Sequence, residues 1–138
     1  MNAPRGFEAE GVWRAWGRGF SMGTVAPPGR LVHLTGQVAW DADERIVGPG
    51  DATAQAHACF DNIERLLAEV GGTLADVVQL TTWFVREGDL PAIQAVRATR
   101  LPGEAPPAST SVRVAALGDP AFLVELTPVA VIPEDRLR

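Results

Sequence analysis

Residues 51–85 read DATAQAHACFDNIERLLAEVGGTLADVVQLTTWFV and contain two elements joined by a pair of glycines. Asp51 is a favourable N-cap residue. Apolar residues then recur at every third or fourth position, at Ala56, Phe60, Ile63, Leu67 and Val70. This spacing predicts an amphipathic helix that ends at Gly71-Gly72. Residues 76–85 are rich in β-branched and aromatic side chains, which predicts a buried strand.

The segment before this unit predicts a β-hairpin. Residues 13–26 mix apolar and polar side chains without helical spacing, and Pro27-Pro28-Gly29 is a strong turn signal. Residues 30–35 then alternate in the manner of a strand. The two extended segments and the turn between them favour a hairpin, which continues through residues 36–40 into a turn-rich segment.

The segment after this unit predicts one more helix and two strands. Asp89 and Pro91 are favourable at the start of a helix, and Pro102-Gly103 ends it. Residues 108–115 and 122–131 are apolar enough for two strands. The predicted order is β-β-α-β-α-β-β, which favours an α+β sheet with both helices packed on one face.

The other face of that sheet needs a covering. The predicted strands carry apolar residues in excess of what one helix-covered face accommodates, among them Val112, Val114, Leu123, Leu126 and Val129. Either the sheet curls on itself or another subunit covers this face, and we favour the subunit.

The composition excludes several kinds of chemistry. Of 138 residues, 12 are basic, all of them Arg, and 17 are acidic, for a net charge of -5. The absence of Lys and Tyr excludes a Schiff-base lysine, a P-loop lysine and a phenolic acid or nucleophile. One Cys and two His are too few for a site built from several such ligands, so we expect no metal and no cofactor.

Length and charge also bound the organisation of the chain. We expect a single domain over residues 1–138, with a core at about 12–132 and polar tails at 1–10 and 133–138. No apolar run is long enough to span a bilayer, and the scattered arginines argue against nucleic acid. The single Cys, and N-terminal residues that lack the apolar region of a secretory signal, favour a cytoplasmic location.

Six short motifs occur together in the order and spacing of one known family. They are Thr35-Gly36-Gln37, Asp61-Asn62-Ile63, Gly71 with Asp76-Val77-Val78, Thr81 to Val85, Pro107-Ala108 and Val124-Glu125-Leu126. From about Phe20 to Val131 the chain resembles the RidA family of reactive intermediate deaminases, also called YjgF-like or L-PSP endoribonuclease proteins. The resemblance implies a chorismate-mutase-like fold, a homotrimer and ligand clefts between adjacent subunits.

The resemblance also implies an activity and residues for it. Deaminases of this family hydrolyse 2-imino acids and 2-aminoacrylate to 2-keto acids and ammonia. Glu125 corresponds to the acid that positions the hydrolytic water, which makes it the candidate catalytic residue. Thr35 and Gly36 correspond to positions at which a hydroxyl and a backbone group contact the substrate.

Three further substrate-binding positions depart from the family pattern. The arginine that clamps the substrate carboxylate corresponds to Ser109, the tyrosine near the first hairpin corresponds to Phe20, and a cysteine corresponds to Ser111. A serine does not replace the charge of a bidentate guanidinium. Arg113, on the same strand, and Arg18 are the candidate replacements.

Several of these residues also have a purely structural explanation, which the sequence leaves open. Ser109 and Ser111 suit a cleft wall and a solvated sheet edge equally. Gly36 is also explained as a bulge glycine, His33 suits a packed or surface histidine better than a catalytic base, and Cys59 is explained as a small helix residue.

We therefore hypothesise a hydrolytic deaminase of imine or enamine intermediates at an intersubunit cleft. Because of Ser109, its substrate lacks a small α-carboxylate or is larger and more apolar. The alternative is a non-catalytic trimer that binds small metabolites. Ribonuclease activity, suggested by the older family label, is disfavoured by the acidic balance and the absence of Lys.

Overall fold

A four-stranded mixed sheet with two helices on one face forms the core of the computed structural model, which describes residues 3–15, 17–101 and 103–138. The strands and helices in chain order are β1 (Arg5–Phe7), β2 (Gly23–Val25), β3 (Arg30–His33), α1 (Ala52–Glu69), β4 (Val77–Phe84), α2 (Leu90–Arg100), β5 (Ala108–Arg113) and β6 (Val124–Ile132). The predicted α+β class is confirmed. None of the helices in these ranges is long and apolar enough to cross a membrane.

The order of strands in the main sheet is β3-β6-β4-β5. β6 runs antiparallel to both β3 and β4, whereas β4 and β5 are parallel. A parallel pair needs a crossover connection, and α2 supplies it between β4 and β5. β6 therefore lies inside the sheet and β5 lies at one edge.

One apolar core joins the helices to the sheet. Its largest fully buried side chains are Phe60, Ile63, Leu67, Leu80, Ile93 and Leu126. Successive side chains of a strand point to opposite faces. Val124 and Leu126 consequently face the helices, and Glu125 and Thr127 lie on the face that the helices leave open, which we call the open face.

Both helices begin near the predicted residues. Asp51 caps α1, because its Oδ1 accepts a hydrogen bond from the backbone N–H three residues on, at 3.0 Å. Asp89 precedes α2, but its carboxylate accepts from Arg86, with Oδ2 at 2.7 Å from Nε, so an ion pair replaces the predicted side-chain cap. Pro102, predicted to end α2 with Gly103, lies outside the described residues.

The predicted hairpin before α1 is wrong. β2 pairs antiparallel with β1, and β3 pairs with β6. Pro27 and Pro28 do mark a turn between β2 and β3, but the two strands on either side of it enter different sheets. The hydroxyl of Thr24 donates to the backbone oxygen of Val78 at 2.7 Å, which holds β2 near β4. Part of the predicted tail at residues 1–10 is thus a paired strand.

The predicted tail at residues 133–138 is also attached to the fold. Both terminal nitrogens of Arg136 donate to the carboxylate of Asp76, at 3.0 and 2.5 Å. The Asp76 side chain is 4% exposed, and its Oδ2 also accepts from the backbone N–H of Thr73 at 2.8 Å. A buried carboxylate requires such partners, which explains why the C-terminal segment lies against the start of β4.

Arg136→Ala is expected to lower the free energy of unfolding by about 2 kcal/mol, because it leaves the buried carboxylate of Asp76 without its charged donors. Urea unfolding measures the change. Arg30→Ala is the control, since its pair with Glu134 is exposed and 3.9 Å long, and its effect should stay within about 0.5 kcal/mol. Equal unfolding midpoints for the two variants would contradict the assigned role of Arg136.

Candidate functional site

The six predicted site residues form two groups on opposite sides of the sheet. Thr35, Gly36 and Glu125 lie together on the open face. Phe20, Ser109 and Ser111 lie together beside α2, on the face that carries the helices.

A two-residue bridge positions the first group. Gln37 N–H donates to the backbone oxygen of Leu126 at 2.7 Å, and Leu126 N–H donates back to Gln37 at 2.9 Å. Because Leu126 points into the core, its neighbours Glu125 and Thr127 point to the open face. The bridge thus places residues 35–37 directly beside these two side chains.

Gly36 is a glycine because Glu125 approaches its backbone closely. A Cβ at position 36 would overlap Oε2 of Glu125 and would lie 3.1 Å from Oγ1 of Thr127. Trp83 donates its indole N–H to the same Thr127 oxygen at 3.0 Å, and Trp83 is the register partner of Glu125 on β4. The Glu125 carboxylate therefore lies against a backbone segment without a side chain, on the strand face that also carries Trp83.

Thr35 and Gly36 also line an open pocket of about 680 Å³ beside α1. Asn62 on α1 holds the rim of this pocket, since its amide donates to the backbone oxygens of Val38 at 3.2 Å and Trp40 at 3.0 Å. Asn62, the central residue of the Asp61-Asn62-Ile63 motif, thus positions the loop that follows Gly36.

The second group lines a pocket of about 380 Å³, which we call the α2 pocket. Its lining residues are Trp13, Arg18, Phe20, Gln94, Arg97, Ser109 and Ser111. Ser109 and Ser111 point toward the helices, because their register partners Leu80 and Thr82 are buried on that face. Both serines therefore line a pocket wall.

The two arginines named as replacements for the clamp lie in different places. Arg18 lines the α2 pocket, with its guanidinium 5.4 Å from the centre of the Trp13 ring. Arg113 shares the strand face of Ser109 but lines a separate pocket, where its Nε donates to the backbone oxygen of Val85 at 2.9 Å.

Sequence reasoning missed Arg97, which contacts Ser109 directly. Arg97 lies on α2, is 4% exposed, and donates from Nη1 to Oγ of Ser109 at 3.2 Å. Its Nη2 donates to the backbone oxygen of Arg18 at 3.1 Å, and its guanidinium lies 5.0 Å from the centre of the Phe20 ring. Burial lowers the pKa of Arg97. The sequence did contain one signal for Arg97. It lies four residues after the apolar Ile93, and residues four apart lie on the same face of a helix, here the buried one.

Gly19 brings Phe20 into the α2 pocket. Gly19 has a φ of +81°, and a Cβ there would come within 2.7 Å of the backbone of Ala98 on α2. The loop can approach the helix only because position 19 has no side chain. The Phe20 ring then packs edge-on against Trp13, with ring centres 5.8 Å apart.

The one cysteine is unsuited to nucleophilic catalysis. Cys59 is fully buried on α1, with Sγ 3.9 Å from the backbone oxygen of Val124. Burial, with a smaller contribution from the negative charge of Glu125, raises the pKa of Cys59 to about 12. In the described ranges no three His, Cys, Asp or Glu side chains are grouped to hold a metal ion.

These observations define an α+β protein with a chorismate-mutase-like fold, a carboxylate on the open face of its sheet and an arginine-lined pocket beside α2. The family model described as Endoribonuclease L-PSP matches residues 18–132, which is most of the chain. The chain therefore belongs to the RidA/YjgF family.

Three similar proteins illustrate the family. The 3-aminoacrylate deaminase RutC of Acinetobacter baylyi is 36% identical over 101 residues, or 72% of this chain and 78% of RutC. Protein DfrA of Myxococcus xanthus is 30% identical over 112 residues, or 81% of this chain and 84% of DfrA. The crystal structure of YyfB from Yersinia pestis, a protein of the conserved Rid family, superposes with a TM-score of 0.88 at 34% identity, covering 96% of this chain and all of YyfB.

Gly36→Ala is expected to lower the free energy of unfolding by about 1 kcal/mol, because the new Cβ displaces the Glu125 carboxylate, which is the flexible end of a side chain. The cost should fall by about 1 kcal/mol in a Glu125→Ala background, where the overlap is removed. Urea unfolding of the two single variants and the double variant measures this coupling. Gly88→Ala is the control, because no described atom lies within 4 Å of its Cβ position. Additive costs for Gly36 and Glu125 would show that the two do not meet.

Cys59 is expected to resist a disulfide reagent such as 5,5′-dithiobis(2-nitrobenzoate) in the native protein. A pKa of about 12 leaves roughly one thiol in ten thousand ionised at pH 8, and the sulfur is buried. The absorbance of the released thiolate follows the reaction, and the same protein in denaturing urea gives the full stoichiometric release. Rapid labelling of the folded protein would contradict this assignment.

Proposed function

We propose that this protein is a hydrolytic deaminase of imine or enamine intermediates that acts at a cleft between subunits of a homotrimer. The observation that carries the proposal is the Glu125 carboxylate held beside the Gly36 backbone on the open face. In the ranges that the structure describes, no basic group lies within ion-pair distance of Glu125, so its oxygens are available to a water and a substrate. Membership of the RidA/YjgF family and the similarity to RutC support the reaction type.

A cleft between subunits accounts for the separation of the two site groups. Within one protomer, Glu125 and Ser109 point to opposite faces of the same sheet, and one small molecule does not touch both. If the open face of one copy packs near the α2 pocket of the next, the groups share a cleft. The open face also carries apolar side chains that a partner would cover, among them Leu31, which is 59% exposed.

The chemistry needs one water, one proton acceptor and a fixed substrate. The water oxygen bonds to the electrophilic imine carbon while the electron pair of the C=N bond moves to nitrogen. Glu125 accepts a proton from that water and returns a proton to the nitrogen, which makes it a general base and then a general acid. Glu125 then takes the O–H proton of the carbinolamine and passes it to the amine nitrogen as the C–N bond breaks, which yields a ketone and ammonia. Thr35 and the Gly36 backbone orient the substrate.

The substrate differs from the small 2-imino acids that resemblance to the family implies. Ser109 stands at the position of the clamping arginine and Phe20 at that of the tyrosine, so the α2 side of the cleft is less polar at two positions. The proposal includes a cytoplasmic protein, because a free buried thiol at Cys59 suits a reducing compartment. A net charge of -5 favours a small molecule over nucleic acid as its partner.

Glu125→Gln is expected to lower deaminase activity at least about a hundredfold, because the amide does not accept the proton of the attacking water. An amino-acid oxidase generates imino acids in situ, and semicarbazide traps those that escape hydrolysis. The assay covers aliphatic and aromatic amino acids. Glu87→Gln is the matched control, since Glu87 is 87% exposed and is distant in sequence from the site residues.

The outcomes separate deamination from binding alone. Unchanged activity in Glu125→Gln would remove the proposed role of Glu125. If the wild-type protein accelerates the loss of no imino acid of any side-chain class, the non-catalytic binding trimer becomes the better description. Light scattering gives the mass of the assembly, and a monomer in solution would contradict the shared cleft.

A further inference from the structure

The α2 pocket contains a buried cation that the proposed hydrolysis does not use. Ser109 stands where the family places its carboxylate clamp, yet Arg97 reaches the Ser109 hydroxyl from α2. We propose that Arg97, held by Ser109, is the carboxylate-binding group of this protein, and that the α2 pocket binds an organic acid with an aromatic or apolar substituent. The inference rests on the proposed function only in taking that acid as substrate or product.

The hydrogen bonds of Arg97 leave part of its guanidinium unsatisfied. A guanidinium has five N–H donors, and the described residues accept from Arg97 twice, at Ser109 and at the backbone of Arg18. Its Nε is buried and has no acceptor among these residues. Both acceptors are neutral, and no carboxylate in the described ranges forms an ion pair with Arg97. A buried charge of this kind is costly without a counter-charge, which an anionic ligand would supply.

The lining of the α2 pocket matches an anion with an apolar group. Arg18 and Arg97 are its charged lining residues, and the remaining ones are neutral. A doubly positive lining is notable in a chain whose net charge is -5. Trp13 and Phe20 add two aromatic rings to the same wall, where a flat or apolar substituent would pack.

The Arg97 guanidinium occupies a different position from that of an arginine at residue 109, and this difference favours a different substrate. An arginine at position 109 would extend from β5, whereas the Arg97 guanidinium comes from the helix and lies over the Phe20 ring. A carboxylate bound by Arg97 therefore sits on the α2 side of Ser109. The bound acid is consequently displaced from the position of a ligand clamped by residue 109, and Phe20 in place of a tyrosine leaves its substituent an apolar surface.

Titration calorimetry of the intact protein with phenylpyruvate tests the site directly. The wild-type protein should bind, and Arg97→Met should weaken binding roughly tenfold to a hundredfold through loss of charge-assisted hydrogen bonds. Arg97→Lys should restore part of the affinity, because it keeps the charge without the planar fork. Arg113→Met is the matched control, since Arg113 lines a different pocket, and its affinity should equal that of the wild type.

A comparison on the wild-type protein alone keeps the proposal testable if Arg97→Met does not fold. Phenylacetate should bind at least about tenfold more tightly than its neutral isostere phenylacetamide. Equal binding of the acid and the amide would overturn the proposal, as would unchanged affinity in Arg97→Met. If that variant instead dissociates the assembly and phenylpyruvate does not bind the wild type, Arg97 pairs with a neighbouring subunit and the proposal fails.

Binding and catalysis are separated by one further variant. Glu125→Gln should still bind phenylpyruvate, because the variant removes the proton acceptor but keeps Arg97 as the group that binds the carboxylate. Carboxylate binding without any deaminase activity would refute the proposed hydrolysis and leave the anion site standing. Deaminase activity without any preference for a carboxylate would refute the anion site and leave the proposed hydrolysis standing.

Discussion

The two-residue side-chain period of β6 is the constraint on which the rest of the structure depends. β6 pairs with both β3 and β4, so its register sets which residues of three strands face the helices. With Leu126 in the core, Glu125 and Thr127 must lie on the open face. A shift by one residue would bury the carboxylate among the helices and expose the leucine, which burial energies exclude. The same register fixes the bridge that brings Gly36 to Glu125.

The opposite faces of this sheet divide the chemistry of the protein. One face holds a carboxylate against a backbone segment, and the other holds a guanidinium among aromatic rings and hydroxyls. A proton acceptor and an anion-binding cation that shared one small pocket would neutralise each other as an ion pair. Their separation within a protomer prevents that ion pair, and in the cleft between copies that we propose, a bound ligand would lie between the two groups.

The pattern of apolar residues along the chain predicted helices and strands well where one face of the element is buried. The spacing of apolar residues located α1, and the dense β-branched run located β4, both within a few residues of the observed ends. The first 29 residues were predicted poorly, because the partner of β2 is a three-residue strand that carries no periodic signal of its own. The C-terminal segment also looked like a tail, because the contacts that hold it, such as the ion pair between Arg136 and Asp76, join distant residues and leave no pattern in the sequence.

The sequence by itself determined the α+β class, the order of most elements, the family and the candidate residues, because these depend on spacing and residue type along the chain. Only the tertiary structure decided that Thr35, Gly36 and Glu125 lie on one face while Phe20, Ser109 and Ser111 lie on the other. It also decided that the guanidinium of Arg97, twelve residues earlier in the chain, donates to the Ser109 hydroxyl. The physical reason is that a helix packed on a strand brings side chains together by the geometry of packing, which spacing within either element does not encode.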